Sequence, residues 1–461
     1  MNHLRRKIGN IHFVGIGGIG MSGLAEILVR QGFSVTGSDL NSSPVTEHLV
    51  EIGIQVKVGH DAGNVDQGVQ AVVYSSAVVK DNPELLEAQK RGIPVIRRAE
   101  MLAELMRLKR GVGIAGTHGK TTTTSMVGTV LTEAGLDPTV IVGGVVRGLG
   151  TNARLGEGEL LVAEADEFDR SFLKLTPTIA VVTNVEAEHL DTYGTLEELN
   201  KAFVHYANSV PFYGTVIACI DDPGVANLLP LIERPLITYG LGPQADVRAV
   251  DVELGATVSC TVVCGDEEWG RLELPIAGAH NLRNALAAVV VAREFEVPFA
   301  VIADALKKFS GVRRRFEVRG EEKGVMVVDD YAHHPTEVKA TLAAARSAHD
   351  RKIVAVFQPH LFSRTRKFGK QFAQELLEAD AVFITDIYPA REESIVGVTA
   401  ENIVKAAKEF GHKSVHYIQK REDLAKAIAD TLDGDELVIT LGAGDIYKTS
   451  NELLELLRGG K

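Results

Sequence analysis

The chain is poor in cysteine, has no long apolar run and carries no excess of positive charge. Its three cysteines in 461 residues, Cys219, Cys260 and Cys264, are too few for a disulfide framework. Cys260 and Cys264 share one strand-like segment with no obvious ligand partner, so all three read as small apolar side chains and not as a metal site. No stretch reaches the ~18 consecutive apolar residues that suggest a membrane span. The opening MNHLRRKIGNIHFVG has neither a long apolar core nor a cleavage-like site, so no signal peptide is expected. A net charge of −12 argues against a nucleic-acid backbone as partner, although a local basic cleft for a nucleotide is compatible with it. Short-period repeats and low-complexity tracts are missing as well. The expectation is a soluble, cytoplasmic protein in a reducing compartment, with no nucleic acid and no membrane as partner.

What the chain does have is core and turns, with 45% apolar residues and 45 glycines. Its length exceeds one typical domain of about 100–200 residues. Short apolar strands at 11–14, 33–38, 71–74 and 94–96 alternate with helical stretches, giving a βαβ series that ends near residue 98. A charged helix over 97–108 leads away from it. A second series has strands at 111–115, 160–165, 178–183, 215–220 and 236–239, then a small antiparallel insert between 246 and 274 and a helix over 279–293. After Arg313-Arg314-Arg315, strands at 325–328, 352–357, 381–385 and 436–440 alternate with helices such as 336–348 and 370–377. The fold class is therefore α/β. The expected domains are 1–98, 99–312 and 313–461, the first and last Rossmann-like and the central one P-loop-like.

Two glycine loops stand out. Gly15, Gly17 and Gly20, with Gly18 between them, fit G-x-G-x-x-G between a strand and a helix, and Asp39 ends the next strand. Such a loop lets backbone N–H groups approach a pyrophosphate at a helix N-terminus. It fixes an anion binder more firmly than it fixes a dinucleotide. The second loop, Gly116-Thr117-His118-Gly119-Lys120-Thr121-Thr122, is a tighter variant of the P-loop, because Ile114 stands where the usual spacing needs glycine. Its N–H groups and Lys120 can hold β- and γ-phosphates, and the Thr121 hydroxyl can reach Mg²⁺. Glu164 and the acidic run 166–169 follow one predicted strand; Glu186, Glu188, His189 and Asp191 follow another. In a doubly wound sheet these strand ends converge on the phosphate loop, where oxygen ligands and an imidazole can hold Mg²⁺. A transferable γ-phosphoryl group fits this arrangement, in an ATPase motor, a small-molecule kinase or a ligase that activates a carboxylate.

Several blocks carry a resemblance. HFVGIGGIGMSGLA at 12–25, GTHGKTT at 116–122, TNVEAEHLD at 183–191, GAHNLRNALA at 278–287, DDYAHHPTE at 329–337 and QPHLFSRTR at 358–366 resemble, in order, the blocks of the Mur ligase family and of its alanine-adding branch. The resemblance runs from about residue 11 to residue 447. It implies three domains that bind a UDP-sugar, ATP and an amino acid, and it accounts for the two loops: one for the UDP diphosphate, the other for the ATP γ-phosphate. The implied reaction joins L-alanine to UDP-N-acetylmuramate through an acyl phosphate, with ATP and Mg²⁺, in an enzyme that is a monomer or weak homodimer. The nearest relatives in kind are the ligase that recycles a preformed tripeptide and, more distantly, the folate polyglutamate ligases.

The same resemblance implies roles. Lys120 would neutralise the transferring phosphate, Thr121 and Glu164 would act at one Mg²⁺, and His189 at a second. Asn281 and Asn284 would lie on the adenine and ribose side of ATP, with Arg314 or Arg315 and Asp330 at the edge of its site. Gly15, Gly17, Gly18, Gly20, Asp39 and Ser75 would serve the UDP-sugar. His333 is a candidate base for the alanine amine, and Arg364 and Arg366 candidates for its carboxylate or for the acyl phosphate. Lys201 is not assigned the carbamylation found in later amino-acid-adding enzymes. Leu361 and Phe362 stand where close relatives have Arg and Tyr, which removes a charge and a hydroxyl from that stretch.

Overall fold

The computed structural model describes residues 8–75, 77–144, 152–390 and 392–459. Three sheets carry the chain. The first has five parallel strands in the order Gln55–Val58, Ser34–Asp39, Asn10–Val14, Ala71–Tyr74, Val95–Arg97. The second has ten strands and is built around the parallel set Thr215–Cys219, Ile179–Val182, Arg110–Ala115, Leu160–Glu164 and Thr139–Ile141. The third has six strands in the order Glu317–Glu322, Val325–Asp330, Glu436–Leu441, Lys352–Phe357, Ala381–Ile384, Val415–Tyr417, with only the first antiparallel to its neighbour.

The parallel strands read as continuous apolar runs because both their faces are covered. In the third sheet, Val328, Ile353 and Ile439 face one core, while their neighbours Val327, Val354 and Val438 face another. Helix starts follow local chemistry. Ser43 and Thr46 form a reciprocal capping box ahead of Pro44–Glu51, and Thr195 caps Leu196–Asn208 through the Glu198 N–H.

The described chain forms two compact units. One comprises Met1–Val250, Thr261–Leu272 and Arg283–Phe309; the other comprises Asp251–Cys260, Glu273–Leu282 and Ser310–Lys461. Within the first unit one apolar cluster runs from Phe13 and Leu24 through Met106 to Phe172, Phe203 and Tyr206, so the first sheet and the parallel strands of the second share a core.

The insert expected between 246 and 274 is three strands, Val247–Glu253, Val258–Cys264 and Glu267–Leu274, which continue the second sheet. One sequence expectation changes. The helix expected over 370–377 is Phe362–Glu375. Its first turns, FSRTRKFG, are polar and contain a glycine, which hid them from a search for apolar periodicity. Of the cysteines, Cys219 and Cys260 are buried and Cys264 is half-buried, and none is bonded to another.

Candidate functional site

The first glycine loop is held from beneath by the end of the neighbouring strand. The N–H groups of Gly15 and Ile16 both donate to the Ser38 carbonyl at 2.9 Å. The Asp39 carboxylate accepts from the Gly17 N–H at 2.8 Å, so at least one of its oxygens supports the loop. Ser75 lies against Gly15, its Cβ 3.5 Å from where a side chain on that glycine would begin. Gly18 is the N-cap of Ile19–Arg30 and supplies no side-chain cap. The close packing expected at Gly20 is made by a side chain: the Arg98 guanidinium lies across it.

Below this loop sits a buried polar network. Glu84 is fully buried and accepts hydrogen bonds from His12 (2.7 Å), Ser38 (2.7 Å), His60 (2.9 Å) and Asn64 (3.1 Å). Burial alone would raise its pKa, but hydrogen bonds from His12, Ser38, Asn64 and His60 outweigh that and hold it down to about 2. Ser38 therefore ties the network to the glycine loop.

The second loop turns through Gly119, whose φ of +81° favours glycine. A Cβ there would also stand 2.7 Å from Asn284 Oδ1. Asn284 in turn accepts from the Thr123 hydroxyl at 3.1 Å, which places it against this loop. Residues 183–186 clamp the loop from the adjacent strand. Asn184 accepts from the His118 N–H at 2.7 Å and donates to the His118 carbonyl at 3.0 Å. The Thr183 hydroxyl donates to that same carbonyl, and Thr117 Oγ1 accepts from the Glu186 N–H.

Lys120 Nζ donates to the carbonyls of Gly116 (2.6 Å) and Thr117 (3.2 Å) and to Glu167 Oε2 (2.8 Å). Burial opposes its charge, but Glu167, Asp166 and Glu164 together hold its pKa above the ordinary lysine value. Glu167 is pushed up to about 7 by burial, with Lys120 pulling the other way. Glu164 is also raised by burial, although it accepts from the Gly143 N–H at 2.6 Å and from the Thr121 hydroxyl. His189 sits at a positive-φ N-cap with Nε2 3.7 Å from Glu167 Oε1 and packs edge-on to Phe168. The structure thus sets Glu167 between Lys120 and His189, and Glu164 beside the Thr121 hydroxyl and within electrostatic reach of Lys120. Lys201, by contrast, is exposed and paired with Glu197 and Glu198 on its own helix.

The second unit, taken by itself, holds the remaining candidates. The Asn281 amide donates to the Ala277 carbonyl at 2.7 Å. Arg314 is committed locally: it bonds Asp329 and the Gly442 carbonyl, and it lies over the rings of Tyr331 and Tyr447. Asp330 accepts from the N–H groups of Phe316 and Ala332, and burial pushes its pKa up to about 6. His333 Nδ1 lies 2.9 Å from the Tyr331 carbonyl and 3.2 Å from Glu337, and its ring meets that of His360. His360 stacks on Tyr388 and contacts Arg364 at 3.2 Å. Arg366 is exposed. Two positions along a helix from Arg364, it faces another way and does not join this cluster.

Comparison with known proteins places the chain in a family. Three family models match in chain order: Mur ligase family, catalytic domain over residues 10–110; Mur ligase middle domain over 114–292; and Mur ligase, glutamate ligase domain over 314–444. The chain belongs to the Mur ligase family. Among curated Mur ligases, the UDP-N-acetylmuramate–L-alanine ligase of Geotalea uraniireducens is 51% identical over 454 residues, covering 98% of this chain and 99% of that protein. The enzyme of the same name from Salinibacter ruber is 52% identical, covering 98% and 95%. The crystal structure of the UDP-N-acetylmuramate-alanine ligase of Thermotoga maritima superposes with a TM-score of 0.83 at 30% identity, covering 98% of this chain and all of that one.

Sequence reasoning missed Glu167, Asn184 and Glu84 as individual contributors. Glu167 was one acid in a run of several, and Asn184 stood inside a recognised block without a role. Glu84 carried no signal, because its partners come from residues 12, 38, 60 and 64 and meet only in the fold.

Proposed function

We propose that this Mur ligase joins L-alanine to the lactyl carboxylate of UDP-N-acetylmuramate with consumption of ATP, in cytoplasmic peptidoglycan precursor synthesis. The observation that carries the reading is the pair of unlike anion loops, one braced by Asp39 and, through Ser38, by the buried Glu84, the other with Lys120 set among Glu164, Asp166 and Glu167. A carboxylate oxygen attacks the γ-phosphorus and ADP leaves. The alanine amine, having lost a proton, attacks the carbonyl carbon of the acyl phosphate. Inorganic phosphate departs and the amide remains. Among the described residues no helix is long and apolar enough to cross a membrane, which suits work on a soluble nucleotide-sugar.

In this reading residues 1–98 hold the UDP-sugar, 99–312 hold ATP and 313–461 receive the amino acid, in a monomer or weak homodimer. Lys120 neutralises the transferring phosphate, and the clamp from 183–186 fixes the loop N–H groups that face it. The Thr121 hydroxyl, Glu164 and His189 are the candidate Mg²⁺ ligands. The donor set fits such an ion, and Glu167 adds a buried oxygen, Oε1, with no hydrogen bond among the described residues. A bound Mg²⁺ would neutralise the phosphate and carboxylate oxygens crowded there. Asn284 stands against the loop for the nucleoside side of ATP, with Asn281, Arg314 and Asp330 as further candidates.

His333 has its Nδ1 against a carbonyl oxygen, which favours the tautomer with the proton on Nδ1 and the lone pair on Nε2. That is the form a base for the alanine ammonium requires. Arg364 is the better placed of the two arginines for an oxyanion, because it shares a cluster with His360 and His333. The test is phosphate release from Mg²⁺-ATP and UDP-N-acetylmuramate, with and without L-alanine, with the product mass read in parallel. Alanine-dependent release and the mass of the alanyl conjugate are expected. Release that requires a tripeptide instead would move the chain to the recycling ligase.

A further inference from the structure

The acidic run 166–169 follows the strand Leu160–Glu164, and the His189 turn follows Ile179–Val182. Arg110–Ala115, which runs into the phosphate loop, pairs with both strands. The two turns are also tied to each other directly. The Tyr193 hydroxyl, buried with its ring, donates to the Glu167 main-chain carbonyl at 2.6 Å. The same carbonyl accepts from the Arg170 N–H at 3.0 Å, so both of its lone pairs are engaged. The Arg170 guanidinium lies over the Tyr193 ring, 4.9 Å from its centroid, and donates to the Thr192 carbonyl at 3.4 Å. Phe168 meets the His189 ring edge-on, with centroids 5.1 Å apart. Tyr193 is bound to His189 in turn, because its N–H donates to the His189 carbonyl at 3.1 Å.

Two of these residues have backbones that side chains rarely adopt. Arg170 has a φ of +61° and His189 a φ of +54°. Left-handed backbone at a residue other than glycine works against folding and persists only where the surroundings hold it. Here one such residue stands on each of the two joined turns. Glycine would relieve the backbone at 170, but it has no guanidinium to lay on Tyr193. What the strain fixes is the pair of side chains the turns carry: Glu167 Oε1 and His189 Nε2, 3.7 Å apart. A cation held by donors from separate turns needs their spacing set beforehand, and groups that orient such donors affect affinity almost as much as the donors do.

We infer that Tyr193 and Arg170 are positioning residues that hold the Glu167 turn and the His189 turn at the spacing a divalent cation requires. Both act through the main chain of Glu167 and the turn of His189. The inference rests on the Mg²⁺ reading of this site.

The test uses the full chain saturated with ADP, with Mn²⁺ as the probe. Bound Mn²⁺ is read by electron paramagnetic resonance without turnover, and UDP affinity and the melting temperature of the metal-free protein are measured alongside. Tyr193→Phe removes one hydroxyl. The Mn²⁺ dissociation constant should rise about tenfold, with UDP affinity unchanged. Arg170→Gly removes the guanidinium and relaxes the backbone. It should weaken Mn²⁺ binding likewise, while the melting temperature holds or rises. The double variant should be little worse than either single one, since both cut the same link. Wild-type Mn²⁺ affinity in either variant overturns the inference. So does a loss of UDP binding in step with Mn²⁺ binding, or an Arg170→Gly melting temperature that falls together with the affinity. A wild type that binds no Mn²⁺ in the presence of ADP overturns instead the reading on which the inference rests. Should Tyr193→Phe not fold, Arg170→Gly decides by the same outcomes.

Discussion

The two glycine loops each join a strand to a helix and are surrounded by opposite electrostatics. Beneath the first, the buried acid is Glu84. Four donors converge on it, and its pKa falls to about 2. Around the second, Glu164 and Glu167 crowd one lysine, and burial drives both upward, Glu167 to about 7. The same side-chain chemistry is used once as a fully satisfied brace and once as an under-compensated cluster. A loop that only grips a diphosphate needs a rigid floor. A loop at which phosphate is transferred needs acids that are short of positive charge until substrate and cation arrive.

Breaking the second loop should give the largest effect. Lys120→Ala is expected to lower turnover about 10³-fold or more, because it removes the charge that meets the transferring phosphate. UDP binding, measured separately, should stay within experimental error. Comparable loss of UDP binding would mean that the loops are not independent.

The brace under the first loop can be broken in turn. Glu84→Gln is expected to destabilise the protein by about 3 kcal/mol near neutral pH, the free energy matching a shift from the ordinary 4.5 to about 2. Because the folded value lies below the unfolded one, this stabilisation is complete above pH 4.5 and is lost as pH falls from there toward 2. Denaturant melts of both proteins across that window should converge on acidification. A gap that stays constant would mean that Glu84 is not held ionised.

Legibility in the sequence followed the range of the interactions. The strand–loop–helix units around Gly15–Gly20 and Gly116–Thr121 were readable because their glycines, apolar runs and helix starts are local. Lys120, Glu164 and His189 were readable because doubly wound sheets collect the ends of their strands in one place. The helix Phe362–Glu375 was half missed because its first turns are polar and face a site. Glu84 and Asn184 were out of reach, since each acts across at least two elements and neither occupies a spaced pattern. Of the paired candidates, the structure separates Arg364 from Arg366 by helical geometry alone.

Two smaller perturbations sharpen the contrast. His189→Ala should lower turnover about 10–100-fold and shift the Mg²⁺ concentration needed for half-saturation upward. An unchanged Mg²⁺ titration would remove His189 from the metal. Asn184→Ala takes away two hydrogen bonds that fix the phosphate loop at His118, and about a tenfold rise in KM for ATP is expected, with KM for the UDP-sugar unaltered. A rise in both constants would point to general loosening and not to the loop.

The most direct test of the division between a gripping loop and a transferring loop follows an oxygen atom. UDP-N-acetylmuramate labelled with ¹⁸O in its lactyl carboxylate is incubated with Mg²⁺-ATP, L-alanine and enzyme, and the released phosphate is weighed by mass spectrometry. Activation of the carboxylate at the second loop requires one labelled oxygen in each phosphate. Unlabelled phosphate released together with an amide product would contradict the account.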